Sequence, residues 1–179
     1  MDKATVHPAH PQIHKGAAQA CRQHDETTLL EATGTRIMRY QYNESEIHKA
    51  IYQDFRDHHG KATVRDLTKH YQVEPTVSHK NPFILFPEGK IPTQANETLI
   101  IIPLGYLQTY PSTPKLATGS TIADLDGYYE PVILTSSILD GQWSILPWKS
   151  GTYIRIPPKS ILKVQAGIVF SLMVSINFE

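Results

Sequence analysis

Two rhythms divide the chain. Between positions 43 and 71 apolar residues recur at helical spacing: Ile47, Ala50, Ile51 and Phe55 fall on one face, and Val64, Leu67 and Tyr71 follow at i, i+3 and i+7. Asn43 with Glu46 three residues on has the form of a helix start, and His58-His59-Gly60 that of an end. A second helix is expected from Thr63, with Asp66 at its third position. Beyond Pro82 the apolar runs shorten and are bounded by Pro, Gly and Asn. This predicts strands at 83–86, 98–102, 106–110, 132–139, 142–146, 152–156 and 161–165, with 168–178 closing the pattern. A further strand is expected within 28–42, around Ile37, Met38 and Tyr40, whereas residues 1–27 show no sustained period and read as an arm.

Within the strand region the period is two. Ile154 and Ile156 alternate with Tyr153 and Arg155, and Val132 and Leu134 are expected to share one face in the same way after Glu130. Ile154, Ile156 and Val164 should then be buried, with Arg155 and Lys163 outside. Two sheets around one core, as a sandwich or barrel, satisfy this pattern. The expected organisation is an arm at 1–27, a small helical segment at 28–80 and a mainly β domain at 81–179.

Composition sharpens the division. All nine histidines precede residue 80, and eleven of the thirteen prolines lie between Pro75 and Pro158. The 179 residues are 40% apolar and 19% charged, enough for a packed core. Lys+Arg and Asp+Glu number 17 each, which argues against binding nucleic acid or membranes through bulk charge. The single cysteine, Cys21, excludes an internal disulfide framework and a Cys-based zinc site, and nothing around it marks a nucleophile. No run reaches the roughly 18–20 apolar residues of a membrane span, and no secretory signal is evident, so a soluble, cytoplasmic protein is expected.

The stretch 119–166 resembles the two motifs of the cupin superfamily. Gly119, four residues, Asp124-Leu125-Asp126, three residues, Glu130, six residues and Ser137 follow the order of the first motif, Gly, His-x-His, Glu, Gly. Gly151, five residues, Pro157-Pro158-Lys159 and, two residues on, Leu162 follow the second, Gly, Pro-x-Gly, His. GTYIRIPPKS looks most like cupins of the type found in zinc-dependent anti-sigma factors. The resemblance implies a cupin-like double-stranded β-helix, a jelly-roll barrel, that binds a small molecule and forms a homodimer.

The departures bear on the chemistry. Cupin metal centres use three histidines and one glutamate, but the matching positions here are Asp124, Asp126, Leu162 and Glu130. Leucine offers no lone pair, so no metal ligand set is assigned and no cofactor is expected. Asp124, Asp126 and Glu130 remain as candidate catalytic carboxylates, acting as an acid/base pair or as oxygen ligands to a hard cation. A solvated Asp-Gly turn is the plainer reading of the same residues. Tyr128, Trp143 and Tyr153 are the candidate ligand contacts at a barrel mouth. Tyr106, Tyr110, Tyr129 and Trp148 complete the aromatic group and are expected in packing.

His7, His10 and His14 could chelate a metal from one helical face, against which Pro8 and Pro11 stand. His58-His59 reads as a solvated helix terminus. The stretch 63–80 has the rhythm of a helix-turn-helix, with a turn at Gln72–Glu74 and a short helix from Pro75, but Asp54, Asp57, Asp66 and Glu74 offset its basic charge. The leading reading is a small-molecule-binding cupin-like barrel without the His-based metal centre. Its alternatives are an enzyme acting on a small organic substrate through the three carboxylates, a ligand-sensing DNA-binding regulator, and a structural or assembly jelly roll.

Overall fold

The computed structural model describes residues 3–22, 39–41, 43–85, 89–107, 132–139 and 141–178. The strands are β1 (Thr5–Pro8), β2 (Arg39–Gln41), β3 (Pro75–Leu85), β4 (Lys90–Pro92), β5 (Glu97–Leu107), β6 (Val132–Ser137), β7 (Trp143–Leu146), β8 (Thr152–Ile156), β9 (Ser160–Ala166) and β10 (Ile168–Phe178). The helices are α1 (Pro11–Arg22), α2 (Glu46–Phe55) and α3 (Lys61–Tyr71), the last two joined by a π turn at Arg56–Gly60. A six-stranded sheet runs β1-β8-β5-β10-β3-β2 and a four-stranded sheet β4-β9-β6-β7. Every strand pairing is antiparallel, and the arrangement is mainly β and jelly-roll-like.

Two cores explain the layering. Between the sheets lie Phe83, Leu85, Leu99, Ile101, Ile154, Ile156, Val169 and Met173 of the larger sheet against Ile91, Ile133, Leu146, Leu162 and Val164 of the smaller. On the outer face of the larger sheet, Ile84, Ile100, Ile102, Phe170, Leu172 and Val174 pack under Ile13, Ala17, Ile51, Phe55 and Leu67 of the helices. β10 is therefore covered on both sides, which is why its sequence is almost continuously apolar instead of alternating. Ile154, Ile156 and Val164 are fully buried as the alternation requires; Arg155 and Lys163 are half-buried.

Several expectations are corrected. Residues 1–27 are not simply an arm: β1 pairs with β8, and α1 buries Ile13, Ala17 and Ala20 on one face. Pro11 does not block α1 because it is the first helical residue, where no N–H bond is lost. The start of α2 is Ser45, not Asn43; the Ser45 N–H donates to Nδ1 of His48 at 3.2 Å. His58-His59-Gly60 does not end the helix, since the π turn carries it into α3. α3 ends at Gln72, a left-handed residue, but Pro75 opens β3 and not a second helix, so there is no helix-turn-helix.

In the strands, 98–102 and the start of 106–110 are not separate: β5 runs through Pro103 to Leu107, and 108–110 lie outside the described residues. A register shift opposite Phe170/Ser171 absorbs the irregularity, and β8 pairs only with Leu99–Ile101, so the missing Pro N–H is not needed there. In β6 it is Ile133 that faces the inner core and Leu134 that faces out, one residue out of step with the expected Val132/Leu134 face; the register shifts between Val132 and Ile133. The chosen boundary at residue 80 falls inside β3.

Candidate functional site

Leu162, at the position where the cupin resemblance puts a histidine, is fully buried in the inter-sheet core. Lys159, at the motif's second glycine, takes the left-handed backbone (φ 54°) that glycine favours, so the turn geometry of the motif persists without its residue. The core itself is aliphatic and aromatic. Ser171 sits among its inward-facing positions, paired across from Phe83, and its buried hydroxyl has no hydrogen-bond partner among the described residues.

Asp124, Asp126, Glu130 and Tyr128 lie outside the described residues, as do Gly119, Tyr110 and Tyr129. Trp143 and Tyr153 are not brought together. Trp143 is 44% exposed on the outer face of β7, beside Ile145 at 74%. Tyr153 packs on the opposite side of the molecule, on the outer face of the larger sheet. Trp148 is buried, and its indole N–H donates to the Gly105 carbonyl at 3.1 Å.

A pocket of about 150 Å³ opens between β6 and β7 of the smaller sheet and the start of β1. Thr135, Ser136, Ser137, Ser144 and Ser160 line it with Gln142, Lys3 and Ala4, and Leu146 marks its apolar end. Thr135 and Ser144 are register partners on the same face as the core residues Ile133 and Leu146. The pocket thus lies at the β7 edge of the space between the sheets and opens to solvent past Gln142, Ser144 and Ile145. Sequence reading passed over it because hydroxyl residues in strands carry no motif; the only signal was that Thr135, Ser137 and Ser144 interrupt otherwise apolar inward positions.

A second polar group surrounds Tyr153 on the outer face. His7 of β1 stacks on Tyr153 at 4.9 Å between ring centroids, and His59 of the π turn lies 5.1 Å from the same ring. The His10 N–H donates to Nε2 of His59 at 2.9 Å, and the His10 and His58 rings stack at 3.6 Å. Nδ1 of His58 donates to the Asp54 carbonyl at 2.9 Å. Burial, and then the Arg155 charge, lower the His7 pKa, with Asp66 opposing; burial and then His58, His10 and His7 lower that of His59. Burial raises the Tyr153 pKa, against a hydrogen bond to Thr63. These rings therefore stitch β1 and the start of α1 to the π turn. His7 is in a strand and His10 precedes α1, so His7, His10 and His14 do not share one helical face.

No protein-family profile matches the sequence, and no curated protein sequence aligns with it significantly. Similarity appears among solved structures. The chain resembles the non-haem alpha-ketoglutarate-dependent epimerase SnoN from nogalamycin biosynthesis (TM-score 0.59, 6% identity, 99% of this chain and 79% of that one covered). A prolyl-4-hydroxylase from Pseudomonas putida gives a TM-score of 0.55 at 12% identity, covering 99% of this chain and 92% of that one. HygX from Streptomyces hygroscopicus, whose structure holds nickel and 2-oxoglutarate, gives 0.54 at 9% identity, covering 97% and 82%. These likenesses show the fold alone, a cupin-like double-stranded β-helix. The finer likeness to zinc-dependent anti-sigma cupins finds no support.

Non-haem iron oxygenases hold their metal by two histidines and one carboxylate. The residues described do not fit it. Residues 80–179 contain no histidine, and the described inter-sheet core is apolar apart from serine and threonine hydroxyls. His7, His10, His58 and His59 gather on the outer face around Tyr153. Among the described residues no three His, Cys, Asp or Glu side chains are grouped to hold a metal ion. No helix among them is long and apolar enough to cross a membrane.

Proposed function

We propose that the protein is an enzyme acting on a small polar organic molecule, bound between its two sheets, without a histidine-held iron centre. The observation that carries this reading is the hydroxyl-lined pocket at the β7 edge of the inter-sheet space, in a fold shared over nearly its whole length with 2-oxoglutarate-dependent enzymes. Thr135 and Ser136 inside the pocket and Ser144 and Gln142 at its mouth offer hydrogen bonds, and the Lys3 ammonium favours a carboxylate on the ligand. Asp124, Asp126 and Glu130 are the proposed catalytic carboxylates. Two acids in unequal surroundings can divide donor and acceptor roles, because burial and repulsion separate their pKa values. The degenerate metal centre is part of this proposal, and so is the homodimer, for which the exposed apolar edge strand β7 is the matching surface.

The test uses 2-oxoglutarate and succinate as probes. In titrations followed by NMR, the amides of Thr135 and Ser144 should shift with either acid in metal-free protein, and Ser144→Leu should remove the response. With ferrous iron, ascorbate and 2-oxoglutarate, no succinate should form. Stoichiometric retained iron with succinate production would replace this reading by an iron oxygenase. Absence of any response to either acid, with Glu130→Gln indistinguishable from the parent, would leave a structural jelly roll.

A further inference from the structure

A second cavity, of about 700 Å³, opens on the opposite side, on the outer face of the larger sheet. Its floor is Phe55 of α2 with Val174 and Ile176 of β10, all buried. Val64 of α3 and Val77 of β3 form its walls and remain 37% and 49% exposed. Its volume lies within the range of about 300–1,000 Å³ usual for small-molecule sites, and such sites are mostly apolar with a few polar groups.

The rim is basic. Arg56, Lys61 and Arg65 border the groove, with Asp57 as the one acid. Asp57 is already engaged, its two oxygens accepting from the Gln53 amide at 2.9 and 2.8 Å and its Oδ1 lying 3.5 Å from Nε of Arg56. Lys61 and Arg65 stand four residues apart on α3, where like charges destabilise a helix unless something anionic lies between them. Neither has an anionic partner within ion-pair distance among the described residues. The π turn supplies part of this layout. It sends Arg56, Asp57 and Gly60 to the groove and His59 to Tyr153, and π turns recur where a helix is bent to a functional purpose.

We propose that this groove binds a small anionic amphiphile of the fatty-acid type, with its alkyl chain along Phe55, Val77 and Ile176 and its carboxylate held by Lys61 and Arg65. The cations select the head group and the apolar floor selects the tail. This site does not rest on the reading of the pocket between the sheets.

Dodecanoate below its micellar concentration is the probe, with dodecanol and acetate as controls, measured by calorimetry on the full chain. Dodecanoate should bind saturably, dodecanol at least tenfold more weakly, and acetate not measurably. Lys61→Gln/Arg65→Gln and Lys61→Glu/Arg65→Glu, at exposed helix positions, should each weaken dodecanoate at least tenfold while leaving dodecanol unchanged. Circular dichroism confirms that both variants are folded. A nitroxide-labelled dodecanoate should broaden the amides of Val64 and Val77 and spare Thr135 and Ser144. The proposal is overturned by equal dodecanoate affinity in the parent and the glutamine variant, or by broadening centred on Thr135 and Ser144. Capture by phosphatidylserine vesicles without binding of free dodecanoate overturns it too, in favour of a membrane surface.

Discussion

At Lys159 the backbone enters the left-handed region, where a side chain costs about 1–2 kcal/mol. The surroundings hold it there: the Ile138 N–H donates to the Lys159 carbonyl at 2.7 Å, and the Lys159 N–H donates to the Gln94 carbonyl at 3.2 Å. Glycine loses more freedom on folding, by about 0.5–1 kcal/mol, so Lys159→Gly should raise stability by about 0.5–1 kcal/mol in a urea titration. His48 makes a different residue-scale statement. Its burial lowers its pKa from 6.5 to about 4, with the Glu44 charge opposing. The folded state therefore binds fewer protons than the unfolded one below pH 6.5. Stability is fully present above that value and is lost as pH falls through the window from 6.5 to about 4. His48→Gln keeps an acceptor for the Ser45 N–H but cannot titrate. Its melting temperature should fall less between pH 7 and pH 4.5 than the parent's, with a residual slope from His7 and His59; identical slopes would remove His48 from the account. Gly16 adds a packing constraint, because a Cβ there would lie 2.9 Å from Cγ1 of Ile51, so Gly16→Ala should loosen the contact of α1 with α2.

Among elements, β8 and β7 form a contrast. Ile156 of β8 is fully buried between the sheets, and Ile156→Ala should cost roughly 2–5 kcal/mol by chemical denaturation. Ile145 of β7 is 74% exposed, and Ile145→Lys should stay within about 0.5 kcal/mol at protein concentrations too low for the proposed dimer. Equal losses would mean that the two faces of these strands have been exchanged. β8 and β10 were legible in the sequence because their apolar residues report burial directly. The first half of β3 was not: Thr76, Val77, Ser78 and His79 are exposed, and only pairing with β10 makes them a strand. β5 was cut at Pro103 because a proline stops most strands, and the tolerance here comes from a neighbour that does not reach it. The site was less legible than the fold. His10 and His59 meet across 49 positions, and the serines and threonines of the inter-sheet pocket come from three strands and their flanking turns, so no local spacing announces either group.

At the scale of the whole molecule, the helices and the barrel share one sheet. A fragment of residues 81–179 would lack β1, β2, the first half of β3 and the helices α1, α2 and α3, and would expose Ile84, Ile100, Ile102, Phe170, Leu172 and Val174 together. Such a fragment should give a collapsed near-ultraviolet circular dichroism signal and aggregate; a well-dispersed NMR spectrum from it would show that the helices are dispensable.

A strand at the centre of the larger sheet, β10, is also the last of the ten described strands in order. β10 bridges β3 and β5, two strands with no pairing between them, and its absence leaves the sheet in two pieces. During synthesis, everything up to residue 167 must wait on the ribosome and beyond it with both flanks of the gap unsatisfied. The sheet closes only once β10 has emerged, by contacts spanning roughly a third to more than half of the chain, which makes for slow folding. Vectorial production thus works against this topology. The nascent chain is the state most exposed to proteases and most dependent on a holding chaperone.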